Sequence, residues 1–140
     1  MSQTAKAIEH AKQQARAQLD SIVDLMAALK RARSGEAILL DGEEMDGEAL
    51  EERAREWPLS VLVRSGWSIP GGQMTPTEYE LLLCTGGPAV RIRGEISEYG
   101  DPATAMLECQ DWFTRWEPLI ASTAETDALV GFAALFWFGG

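Results

Sequence analysis

The first 34 residues contain neither glycine nor proline, and that absence constrains the chain more than any motif in it. Alanine, glutamine, lysine and arginine dominate the stretch, residues that lose little side-chain freedom in a helix. Ala15, Leu19, Ile22, Met26 and Leu29 recur at steps of four, three, four and three, and Ile8 extends the seam backwards. Such spacing predicts a helix over about residues 4–33 with one apolar stripe, which Val23 and Leu25 widen. Lys30, Arg31 and Arg33 fall in its last turn, where cations meet the negative end of the helix dipole, and Gly35 lies just beyond as a stop. The stripe either packs on its own domain or forms a coiled-coil-like homodimer seam through Leu19, Ile22, Met26 and Leu29.

After Gly35, residues 37–40 read as a short apolar connection. Asp46 or Gly47 then caps a second, acidic helix over about 48–57, closed by Pro58. From there the period changes from helical to alternating. Residues 60–64, 78–85, 89–96 and 103–111 each alternate apolar and polar side chains, as strands with one buried face do. The links at 69–76, 85–88 and 98–102 are rich in glycine and proline, which suits short connections between antiparallel neighbours. A helical pattern returns at Glu125, with Leu129, Phe132, Ala133 and Phe136 on one stripe, and runs to Gly139. The expected fold class is therefore α+β: a long N-terminal helix, a short acidic helix, a four-stranded antiparallel meander and a C-terminal helix. Residues 1–35, 36–57 and 58–140 form its three segments, and 15.3 kDa in 140 residues fits one compact domain.

Charge is distributed unevenly along these segments. The chain carries a net −10, which argues against direct nucleic-acid binding or docking on an anionic membrane. Residues 1–35 are +3, whereas residues 36–56 are −7. The acidic run comprises Asp41, Glu43, Glu44, Asp46, Glu48, Glu51 and Glu52 among others, and a cationic partner is what such a surface attracts.

Catalytic and metal chemistry find little to work with. His10 is the sole histidine; beside Glu9 in the basic helix it is expected to be exposed. One histidine and two scattered cysteines make no zinc set. In residues 41–52 Met45 and Asp46 occupy places where a calcium loop needs an oxygen ligand and a glycine. The pairs Gly71-Gly72 and Gly86-Gly87 lack the phosphate-loop pattern and read as turns. Glu95 and Glu108 on neighbouring strands are expected to pair with Arg64, Arg91 and Arg93 rather than to act as acid and base. Neither cofactor nor metal is expected, and the protein reads as no enzyme. Cys84 and Cys109 read as buried thiols of a reducing cytoplasm, and the absence of an apolar run near the start agrees with an intracellular protein. Five tryptophans stand in the chain. Most are expected to cap the ends of the sheet, with Trp67 and Trp116 as candidate interface anchors.

Leu82-Leu83-Cys84-Thr85-Gly86-Gly87-Pro88-Ala89-Val90-Arg91-Ile92-Arg93-Gly94-Glu95 resembles a string found in a family of small phage and prophage proteins. Trp57-Pro58-Leu59-Ser60-Val61, Val63-Arg64-Ser65-Gly66-Trp67 and Gln110-Asp111-Trp112-Phe113-Thr114 resemble the same family, as does the Phe138-Gly139 end. The likeness covers about residues 58–140, and departs from the family pattern at Arg115, where proline is expected before Trp116. It implies a mobile-element origin and designates no catalytic residue. With the acidic run, it leads to the expectation of a non-catalytic inhibitor, of the anti-CRISPR or anti-restriction kind, that binds a host defence protein with a basic surface in the host cytoplasm. The alternative is a self-assembling structural or accessory phage protein joined through the first helix.

Overall fold

The computed structural model describes residues 3–112 and 114–139. Phe113 of the Gln110-to-Thr114 string and Gly140 lie outside the described residues. Helix α1 spans Gln3–Arg33, about 46 Å at 1.5 Å per residue. One stripe of it, Ala11, Ala15, Leu19, Ile22, Leu25 and Leu29, is buried. The helix ends where Gly35 N–H donates to Ala32 O and Glu36 N–H to Arg31 O, a Schellman arrangement. Arg31 and Glu36 also form a two-pronged ion pair at 2.9 Å across it. That guanidinium holds the Glu36 carboxyl below its ordinary range.

The expected connection after α1 is instead a hairpin, β1 (Ile38–Leu40) and β2 (Glu43–Met45). Its two-residue turn is Asp41-Gly42, with φ of 53° and 79°. Both central residues of a type I′ turn need positive φ, which is why Asp-Gly is a strong hairpin signal. Helix α2 (Gly47–Glu56) follows; Asp46 caps it by accepting Ala49 N–H at 2.8 Å.

Strands β3 (Ser60–Ser65), β4 (Pro76–Cys84), β5 (Ala89–Glu95) and β6 (Met106–Gln110) form the expected antiparallel meander. A fifth strand, β7 (Glu117–Pro118), pairs with β6 and was not legible in a two-residue segment. The expected strand over 103–111 is shorter at its start, because Thr104 is engaged elsewhere: its hydroxyl accepts Glu95 N–H and its carbonyl accepts the Tyr79 hydroxyl. Gly94 lies opposite Tyr79, and a Cβ there would collide with both that carbonyl and that hydroxyl.

Helix α3 spans Thr123–Ala133, not 125–139. A capping box starts it earlier: Ser122 accepts Glu125 N–H, and the Glu125 carboxylate accepts Ser122 N–H. Beyond Ala133 the chain turns back, and Phe138 stacks on Tyr79 at 4.8 Å. One face of the sheet (Tyr79, Leu81, Leu83, Val90, Ile92, Leu107, Cys109) thus closes on α1 and on Leu129 and Phe132 of α3.

This packing corrects the homodimer-seam expectation. Leu19 and Ile22 are 0% exposed and Leu29 1%, and Met26 packs against the same core. Leu19, Ile22 and Leu29 have no surface left for a second copy, and Met26 is only partly exposed, too little for a seam. Leu19→Ala should lower unfolding free energy by about 2–5 kcal/mol in a urea titration, without changing particle mass before unfolding. The Glu125 carboxyl titrates below its ordinary range, first because it accepts the Ser122 N–H and then because Arg16 donates to it. A depressed folded-state value contributes stability above the unfolded value that disappears as pH falls through the folded one. Glu125→Gln should therefore unfold more readily than the wild type at neutral pH and converge with it in acid, as thermal melts across pH will show.

Candidate functional site

The seven carboxylates of the acidic run separate into two sets. Asp41, at the hairpin turn, pairs with Arg53 at 3.2 Å. Asp46 is consumed by the α2 cap. Glu51 takes Arg33 of α1 at 2.5 Å and Arg55 of its own helix at 3.8 Å. By contrast, Glu43 and Glu44 on β2 and Glu48 and Glu52 on α2 have no hydrogen-bonding or ionic side-chain partner among the described residues. All four are exposed, and Glu48 stands in the first turn of α2, where the helix dipole favours it. Successive residues of a strand point to opposite faces, so Glu43 and Glu44 project from both sides of the hairpin. The result is a carboxylate-bearing corner, partly neutralised along its α1 side.

The sheet face turned away from the helices carries a second charged arrangement. Arg91 donates from Nε to Glu108 at 2.8 Å and from Nη1 to Glu80 at 3.5 Å. Its guanidinium lies 4.0 Å from the centre of the Trp116 ring. Arg91 and Glu108 side chains are only 13% and 11% exposed, so this is a desolvated cluster. Arg64 pairs with Glu78 on the neighbouring strand. Of the expected carboxylate pair, Glu108 takes Arg91 as anticipated. Glu95, four residues from Arg91, is separated from Glu108 by about 13 Å along the strands and has no ionic partner among the described residues. Two carboxyls so far apart do not share a proton-transfer site.

The tryptophans correct the expectation of buried sheet-end caps. Trp67, Trp112 and Trp137 are exposed. Only two are partly buried: Trp57, whose N–H donates to Gln18 and whose ring meets Phe132 edge-on, and Trp116 against Arg91. Of the two candidate anchors, Trp67 stands free on the loop after β3, whereas Trp116 is held within the chain.

His10 is exposed and lies 4.0 Å from Asp111, just past the end of β6. Cys109 is buried and Cys84 half-buried; both are free thiols that burial pushes up, so thiolate is scarce near neutrality. Among the described residues, no group of three or more His, Cys, Asp or Glu is placed to hold a metal, and no helix is long and apolar enough to cross a membrane. Comparison with protein-family models, with curated proteins and with solved structures finds no match for the chain.

Arg91→Met should cost about 3 kcal/mol or more, since it leaves Glu108 buried without its cation. Combining it with Glu108→Leu should restore most of that loss. Urea unfolding of the two variants measures both, and equal instability would show that the pair matters through packing alone.

Proposed function

We propose that this chain is a non-catalytic binding protein whose β1–β2 hairpin and α2 engage a cationic surface of a protein partner. The single observation that carries the reading is the set Glu43, Glu44, Glu48 and Glu52, left without a cation among the described residues in a molecule that pairs many of its other carboxylates. A partner bearing arginine or lysine supplies what these groups lack. Proteins that handle nucleic acid expose such surfaces to hold phosphates. Taking the strand strings as those of small phage and prophage proteins, we place the partner among host defence complexes, with the chain acting in the host cell as an anti-CRISPR or anti-restriction inhibitor. Long-range attraction from a net −10 accelerates the encounter, and the desolvated contacts hold it.

Asp41, Asp46 and Glu51 belong to the surface but serve the fold, so the contact narrows to four residues. Changing all four to glutamine should alter stability by little, about 0.5 kcal/mol per site or less. In capture assays against host nucleic-acid-handling defence complexes, the same variant should bind about tenfold more weakly or worse, equivalent to about 1.4 kcal/mol, and wild-type capture should fall with added salt. Undiminished capture by the four-glutamine variant would sink the proposal.

A further inference from the structure

The sheet ends in two unlike edges. At one end β7 is two residues long and carries Glu117 and Pro118, a short strand with a charge and a proline, features that repel foreign strands. At the other end β3 presents six residues, Ser60–Ser65, without proline. β4 is its only strand partner among the described residues. Val61, Leu62 and Val63 are 40%, 56% and 46% exposed. The valines lie on the helix side of the sheet, but α1 packs over β5 and β6 and α3 over β6. Leu62 lies on the other side with Arg64 and Glu80. The helix-side face of this edge is therefore apolar, Leu62 is the apolar residue of the other face between Ser60 and Arg64, and the surface continues into Trp67, Ile69 and Met74, all strongly exposed.

Two molecules of net −10 repel unless they meet where carboxylates are missing. Residues 57–77 contain no acidic side chain, and Arg64 is their only charge. The strand is also self-complementary. Val61-Leu62-Val63 reads the same in both directions, as a two-fold contact requires of a surface that meets itself.

We propose that β3 is the dimer interface of this chain: two copies pair β3 antiparallel about a two-fold axis through Leu62, perpendicular to the sheet. Leu62 then lies opposite its counterpart, Val61 opposite the partner's Val63, and Ser60 opposite the partner's Arg64. The two Arg64 side chains fall at opposite ends of the ladder, so no like charges face each other. Two five-stranded sheets become one of ten strands, with the helices of both copies on the same side. The register keeps the valines of both copies on the helix side and the two Leu62 side chains on the other, since a shift of one residue would turn every side chain to the wrong face.

Sedimentation of the full chain should give a mass rising with concentration from 15.3 kDa to twice that value. Leu62→Lys, which places two ammonium groups face to face at the axis, should halve the mass at concentrations where wild type is dimeric. Leu39→Lys, at an exposed apolar position on β1, should leave it dimeric, as should the four-glutamine variant. Far-ultraviolet circular dichroism checks that Leu62→Lys is folded. In the wild type, hydrogen exchange at Ser60–Ser65 should slow as concentration rises. A wild-type chain that stays monomeric throughout overturns the proposal, even if some other protein covers β3, and so does a Leu62→Lys chain that remains a dimer.

Discussion

Removal of one helical stripe from water organises this molecule. Ala11, Ala15, Leu19, Ile22, Leu25 and Leu29 lie on a single line down α1, and every other layer is arranged along it: α2 and β1 towards one end, the sheet and α3 along the rest. The two alanines matter as much as the leucines, because a small side chain lets the helix axis approach its neighbour closely. A 31-residue helix is longer than its partners are wide, so it acts as a spine on which short elements are aligned. The isolated β1–β2 hairpin would not be stable alone; Ile38, buried in the same core, ties it to that spine.

The uneven charge along the chain takes on a physical meaning once the layers are assembled. The basic α1 reaches acids from other segments: Lys12 to Glu117, Arg16 to Glu125, Arg31 to Glu36 and Arg33 to Glu51. Each such pair is screened by solvent and contributes little by itself. Together they orient an acidic body on a basic spine, and they decide which carboxylates are left over. Among the described residues, the corner at Glu43, Glu44, Glu48 and Glu52 is what the cations of α1 do not reach.

Much of the fold was legible because periodicity survives in long elements. The stripe of α1 and the alternation of β3 to β6 are properties of the sequence itself, and they emerge with boundaries shifted by only a few residues. The hairpin was legible in principle, since Asp41-Gly42 carries the signal within a stretch otherwise dominated by charge. β7 was not, because two residues have no period. The candidate site was half legible. That the acidic run exists follows from composition, yet which of its members are already paired depends on distances to Arg33 and Arg53, residues remote from them in the chain. Tryptophan burial was not legible for a similar reason. Indoles favour burial in general, but only tertiary structure shows that no layer covers Trp67, Trp112 and Trp137, which stand exposed.

The placement of those indoles has a spectroscopic consequence. Three of the five already stand in water in the native state, so denaturation shifts their emission wavelength little, and Trp57 and Trp116 carry nearly all of the change. Intrinsic fluorescence is consequently a weak gauge of unfolding in this protein. Trp67 instead behaves as a beacon for whatever settles beside it, dark to global melting and bright to docking.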